Sequence, residues 1–450
     1  MKSIKERVLD QIDLEHNFDI YYRKIKVSFG SIDVLFITSL VDSMMLTEII
    51  KSIKQIRNKT LIQERLSTPQ VKYEEDLTTL LNAFYYGEAI VFYHDLAFHV
   101  DCKKFPLRGI DEPSSEKAIR GSRDGFNESL NTNIALIRLR LKSTRLCFDL
   151  LNVSKYGKTP VCLVYLKDRV DLNVVKELKK RIEKLDLNSL VMTDRSLEER
   201  IFNQKKVIYP LVRYTERPDV CSIHIMNGKV AIIVDTSASV LITPICLLDH
   251  LKHVEEFRQT PLIGTFTKVL RIISIILSLF LSPTILALYM DHDINNIFIM
   301  QSKYTNGELA FQMISATLIL EIFRIAVVHT PTPLVSAISL VSALVLSQVS
   351  IELNIFSSEI LLVVSISAIC GFATPSYELS LSNKLVSLLL ILVVAFFKME
   401  GFLIALILLF IYLAQIKTFN QPYLHPLCPF DYKKLLNFFI RSSSDDKKNC

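Results

Sequence analysis

The sharpest chemical signal in the chain is a pair of charges inside apolar sequence. Glu321 and Arg324 interrupt the apolar run 309–328 at a spacing that places both on one helical face. A charge at the centre of a membrane span costs roughly 2.5–3.5 kcal/mol on insertion scales, so it faces protein or water. Such a pair can line a polar conduction path. It can equally be self-paired glue between helices, or mark a helix lying at the interface. Glu378 is a third candidate for a membrane polar position, and in an ion-coupled transporter Glu321 or Glu378 would be the carrier site. Pro283, Pro375 and Gly401 break or loosen the surrounding apolar runs and are candidate hinges.

Other constellations carry less. Gly157-Lys158-Thr159 has the ending of a phosphate-binding loop, but Asn152 stands where that motif needs its first glycine, which leaves a turn into the strand that follows. His250 and His253, beside Asp249, Glu255 and Glu256, could place two imidazoles on one helical face. With no third His nearby they read as a polar linker helix rather than a metal site. No GxSxG or HExxH motif is present, so neither an enzyme nor a cofactor or metal is expected. The eight cysteines are scattered without a CxxC pair, which suits small buried residues in a reducing compartment.

Charge is distributed unevenly over the 450 residues. Positions 1–271 hold 77 charged residues, whereas positions 272–416 hold 12. That split excludes a wholly soluble protein, a disordered tail and a nucleic-acid binder, and predicts a water-soluble head followed by a membrane domain. Five apolar runs follow the head: 272–290, 309–328, 334–351, 360–373 and 385–415. The last is interrupted by Lys398-Met399-Glu400-Gly401, so it is one long helix emerging from lipid or two segments hinged at Gly401. Basic residues flank the first and last runs, and the loops between are mostly acidic. The positive-inside rule then places both ends in the cytoplasm and makes at least one run re-entrant or doubled. The start of the chain has basic residues but no apolar core behind them, so no secretory signal is expected.

The head reads as alternating strands and helices. Residues 32–38 and 160–166 are strand-like, and Asp42 and Asp171 then open amphipathic helices. Each unit later has a glycine entering an apolar strand, Gly87 and Gly228, with Asp95 or Asp235 close behind. The expected organisation is an α/β head of two similar subdomains (1–110 and 145–260) joined by a bridging helix within 111–144. An all-α polytopic membrane domain (261–416) and a basic C-terminal tail (417–450) follow. The bridging helix is expected over 124–142 with Asp124 as its N-cap.

Several stretches carry a resemblance to a known family. Residues 118–126 (AIRGSRDGF), with Asn133 and 138–142 (RLRLK), resemble the GerA-type spore germination proteins. So do 211–220 (LVRYTERPDV), 234–236 with Pro244, and Pro422-Tyr423-Leu424 with Pro426, Pro429 and Phe430. The likeness runs from about residue 20 to the C-terminus. Residues 256–266, 328–334 and 372–384 are most similar to one branch, that of stage V sporulation protein AF. The resemblance implies a protein of the spore inner membrane, multi-pass, with its head on the core side. It also implies a homo-oligomer whose membrane domains conduct ions, in contact with lipid and with other spore germination membrane proteins, and with no nucleic acid. The alternative is a non-conducting scaffold or signal relay between germinant receptors and the dipicolinic acid release channel. The family's charged motifs carry over as Arg120, Arg123, Glu216 and Arg217, with packing between subdomains or protomers as their expected role.

Overall fold

The structure, a computed structural model, describes residues 2–27, 30–55, 71–104, 113, 116, 121–154, 157–185, 193–202, 207–253, 255–256, 259–290, 304–329, 340 and 345–439. The chain divides into two units. One comprises Met1–Lys206 and Leu211–Ile245, the other Val207–Pro210 and Cys246–Cys450.

The first unit is built twice from the same pattern. After a capped helix α1 (Ile4–Gln11), the first half runs β1 (Ile20–Val27), β2 (Gly30–Ile37), α2 (Ser43–Gln55), β3 (Val71–Tyr73), α3 (Leu77–Tyr85), β4 (Ala89–Tyr93) and β5 (Leu96–Val100). Helix α4 (Leu130–Arg140) leads into the second half. There β6 (Leu146–Val153), β7 (Thr159–Leu166), α5 (Leu172–Glu183), α6 (Thr193–Phe202), β8 (Arg213–Thr215), α7 (Pro218–Met226), β9 (Val230–Val234) and β10 (Val240–Thr243) follow in turn. The sheets have orders β1-β2-β4-β5-β3 and β6-β7-β9-β10-β8, antiparallel throughout. The two halves therefore share one topology: a hairpin, a helical crossover to the far edge, a second helix, and a hairpin inserted between.

The correspondence reaches single residues. Asp42 accepts from the Met44 N–H at 2.8 Å and Asp171 from the Asn173 N–H at 2.9 Å, so each half opens its first crossover helix with the same cap. Leu46, Ile49 and Ile53 bury one face of α2, and Val174, Leu178 and Ile182 bury that of α5. Helices α3 and α7 both end in a glycine with positive φ, Gly87 at +90° and Gly228 at +79°. The residue after each glycine donates back to the carbonyl five positions earlier, Glu88 to Ala83 at 3.0 Å and Lys229 to His224 at 3.1 Å. A Cβ on Gly87 would lie 3.0 Å from the Leu40 carbonyl oxygen, and one on Gly228 2.5 Å from that of Arg169. Leu40 and Arg169 each stand three residues past the strand that precedes them.

The bridging helix is shorter than its periodicity suggests. Asp124 is not its N-cap; it pairs instead with Arg140 at 2.5 Å near the helix's other end. The Asn133 side chain holds the preceding segment off the helix, accepting from the Asn127 N–H at 2.9 Å and donating to its carbonyl at 2.6 Å. The helix starts at Leu130, whose N–H donates to Asp235 Oδ1 at 3.2 Å. A carboxylate from the far half thus does the capping.

The second unit is helical. Helix α8 (Pro261–Met290) and helix α9 (Asn306–His329) are followed by α10 (Ser358–Phe372) and α11 (Tyr377–Gln415); α12 (Tyr432–Phe439) lies in the tail. Helices α8, α9 and α11 are long and apolar enough to cross a membrane. Leu286, Ala287, Met313, Ala316, Val363, Ile391 and Val394 form a common core. Small polar residues let the helices approach: Ser367 donates to the Ser278 carbonyl at 3.0 Å and Ser380 to that of Gly371 at 3.3 Å. Most of the apolar run 334–351 lies outside the described residues. Val207–Pro210 packs here too. Ser382 Oγ donates to the Ile208 carbonyl at 2.8 Å, the Ile208 N–H donates to Tyr412 Oη at 2.9 Å, and the buried Tyr209 ring centres 6.2 Å from that of Tyr423.

Candidate functional site

Three of the charges in the helical unit meet in one cluster. Glu321 and Arg324 pair along α9, as their spacing predicts. The other Glu321 oxygen accepts from Lys384 Nζ of α11 at 2.6 Å. The three side chains are 20%, 14% and 21% exposed, half-sunk among apolar helices. The Arg324 guanidinium stands 5.3 Å from the Tyr377 ring centre, and Lys384 Nζ stands 5.8 Å from that of Phe372. Gly371 lies beside the lysine stem, where a Cβ would make ordinary contact with Lys384 Cε at 3.7 Å. The cluster holds one carboxylate against two cations, a positive excess in a region whose sequence is acidic overall.

Glu378 does not join this cluster. It sits in the first turn of α11, where its carboxylate accepts from the N-cap Ser376 Oγ at 3.0 Å, a placement that suits the helix dipole. Ser376 also meets His250 Nδ1 at 3.2 Å. His253 is turned to a different task, its Nδ1 accepting from the Glu255 N–H at 3.2 Å. Among the described residues no three His, Cys, Asp or Glu side chains converge as a metal site would require.

The hinge candidates occupy three different settings. Pro283 is buried within α8, which continues through it. Pro375 lies in the short turn between α10 and α11. The long helix α11 breaks at Lys398, with φ 51° and ψ −144°, three residues before the expected Gly401. Gly401 has a steric role: a Cβ there would fall 2.2 Å from Phe397 Cβ, so the break at Lys398 is possible only with glycine beneath it.

In the head, Arg217 is fully buried and fastens the segment before α4. Its guanidinium forks onto Asp219 at 2.8 and 3.0 Å and donates to the carbonyls of Glu116 at 3.2 Å and Ser122 at 2.9 Å. Glu116 in turn pairs with buried Arg213 at 3.1 Å and accepts from Thr215. Glu216 contributes its carbonyl to the Phe126 N–H at 2.7 Å. Arg123 is exposed, and Arg120 lies outside the described residues.

Sequence reasoning passed over three partners. Lys384 is one of only four basic residues in positions 272–416, and that scarcity was the available signal. Arg138 and Asp19 lie 119 residues apart and carry no spacing that could connect them. Burial also marks the cysteines of the head: it pushes the Cys102 thiol up to about 12 and the Cys147 thiol up to about 11.

Comparison with known proteins bears on the whole chain. Residues 9–449 match the family described as Bacillus/Clostridium GerA spore germination protein. Stage V sporulation protein AF of Bacillus subtilis is 35% identical over 99% of this chain and 93% of its own length. Spore germination protein KA of the same organism is 30% identical over 94% of this chain and 81% of its own. The crystal structure of the N-terminal domain of the A subunit of the Bacillus megaterium spore germinant receptor GerK3 is 22% identical, covering 54% of this chain and 91% of that one with a TM-score of 0.39. With residues 9–449 matched by the family and three helices of membrane-crossing length among the described residues, this chain belongs to the GerA family and is a membrane-associated spore germination protein.

Proposed function

We propose that this chain is an ion-conducting subunit of the germination machinery, acting as a homo-oligomer in the spore inner membrane with its head on the core side and promoting ion release. The observation that carries this reading is the Glu321–Arg324–Lys384 cluster, three ionic side chains retained among helices that are otherwise apolar. Charges in such a setting persist where they face protein or water, and a water-filled path supplies the second. The break at Lys398 and the buried Pro283 give the helices two ways to pack, which a movement of the head could bias. Relatives named as spore germination proteins support a place beside other germination membrane proteins. Purified full-length protein reconstituted in planar bilayers should pass current, and Glu321→Gln should change its ion selectivity. Absence of conductance, alone or with germination partners, would remove the reading. Spores lacking the chain should release ions more slowly before dipicolinate appears.

A second reading is favoured by one feature of the same cluster. Both cations are paired with Glu321, as they would be in glue between helices rather than in an open path. The protein would then be a non-conducting scaffold or relay. Glu321→Gln separates the two, because a scaffold loses assembly or nothing, whereas a pore keeps assembly and alters flux.

A further inference from the structure

Helix α12 is amphipathic and its apolar face is uncovered. Tyr432, Leu435, Leu436 and Phe439 fall at helical spacing on one side, and Tyr432, Leu436 and Phe439 are exposed. Lys434 occupies the opposite side and Lys433 the flank of this face, and both are exposed. Just ahead of the helix, Leu427 and Phe430 are also exposed. Among the described residues, this stripe of large apolar side chains is left largely open to water.

Its position says what covers it. The Phe438 carbonyl accepts from Lys268 Nζ of α8, and the same ammonium stands 4.0 Å from the Phe438 ring centre. Lys268 and Arg271 are the last charges before the charge-free stretch 272–290. They mark the level at which the span leaves the headgroups for hydrocarbon, and α12 is fastened at that level. Aromatic side chains facing down and lysines at the flank and opposite side are the composition of a helix lying in the interface of an acidic bilayer.

We propose that α12 docks onto the headgroup layer of an anionic bilayer, its Tyr432–Leu436–Phe439 face inserted and Lys433 and Lys434 held against acidic lipid. The tail is then a second membrane contact, separate from the spans.

The chain contains no tryptophan, so a single introduced indole reports its own surroundings. Full-length Tyr432→Trp protein is reconstituted in vesicles of phosphatidylcholine with or without phosphatidylglycerol, carrying bromine high on the acyl chain. Phe396→Trp, on an exposed face of α11, reports insertion of the helical unit. With phosphatidylglycerol present, the indole at 432 should be quenched by bromolipid and shielded from acrylamide. Lys433→Gln/Lys434→Gln should lower that quenching severalfold in phosphatidylglycerol vesicles and leave it unchanged in phosphatidylcholine alone. An indole at 432 open to acrylamide while that at 396 is quenched would overturn the proposal. So would shielding from both quenchers, which would mean that a second copy of the chain covers the face. Failure of the 396 indole to quench would overturn the span assignment of α11 and this docking with it.

Discussion

Arg138 and Asp19 form a two-pronged, fully buried ion pair, Nε to Oδ2 at 2.7 Å and Nη2 to Oδ1 at 2.5 Å, between the bridging helix and the entry to β1. Asn17 accepts a further bond at 2.8 Å, and the guanidinium stacks 4.2 Å from the Phe148 ring centre on β6. Residues 16–18 run alongside that strand, exchanging backbone bonds with Phe148. The pair therefore ties the first half, the bridging helix and the second half at one point. Removing one partner leaves a desolvated charge. Arg138→Ala or Asp19→Ala should each destabilise the head by about 3–5 kcal/mol, measured by denaturant unfolding, with the double variant costing less than their sum.

The membrane cluster makes a different prediction. Glu321→Lys and Lys384→Glu should each lower thermal stability in detergent, and the exchange of both should recover part of the loss. The coupling expected for a partly exposed pair between two apolar helices is about 1 kcal/mol. No recovery in the exchanged protein would mean that the contact contributes nothing to packing.

Gly228 and Gly87 occupy equivalent turns but differ in the space around them. Alanine at 228 would meet the Arg169 carbonyl oxygen and a φ of +79° together, so Gly228→Ala should cost about 2 kcal/mol. Gly87→Ala has 0.5 Å more room against the corresponding carbonyl and should cost less. Paired unfolding curves check the order.

A pH effect follows from the cap of α3. Asp76 is held down to about 2 by the hydroxyl of Thr78 and by the hydroxyl and N–H of Thr79. Its folded pKa lies below the ordinary 3.8, so its contribution is complete above that value and fades as pH falls through about 2. Asp76→Ala should melt earlier than the parent protein at pH 7, and the gap should close as the carboxyl protonates near pH 2. A gap independent of pH would show that the carboxylate charge is not what caps the helix.

Much of the head was legible because local signals agreed. Asp42 and Asp171 before periodic apolar residues, and Gly87 and Gly228 before apolar runs, marked corresponding points of one repeated topology. The antiparallel crossover order was not legible, since pairing β2 with β4 is decided by contacts across the chain rather than by pattern. Asp124 misled for a related reason. Its sequence context suits an N-cap, but Asn133 folds the intervening residues back and Asp235 supplies the cap from a distance. In the helical unit, Glu321–Arg324 was readable from an i,i+3 spacing, whereas Lys384 lies 63 residues on. The interruption from Lys398 to Gly401 was readable but its hinge was expected at Gly401, because glycine attracts attention as a flexible point, while here the non-helical residue is Lys398 and Gly401 makes space for a neighbour.

The excursion of Val207–Pro210 into the helical unit has a practical consequence for dissecting the protein. The head is not one uninterrupted stretch of polypeptide, because the chain crosses over between α6 and β8 and comes back to complete the second sheet. Truncation after Ile245 would strip Tyr209 of its aromatic neighbour and leave the Ile208 amide without its tyrosine and serine partners. A soluble fragment would behave better with Tyr209 exchanged for a hydrophilic residue. By the same connectivity, the backbone joins the two units at three junctions, 206–207, 210–211 and 245–246.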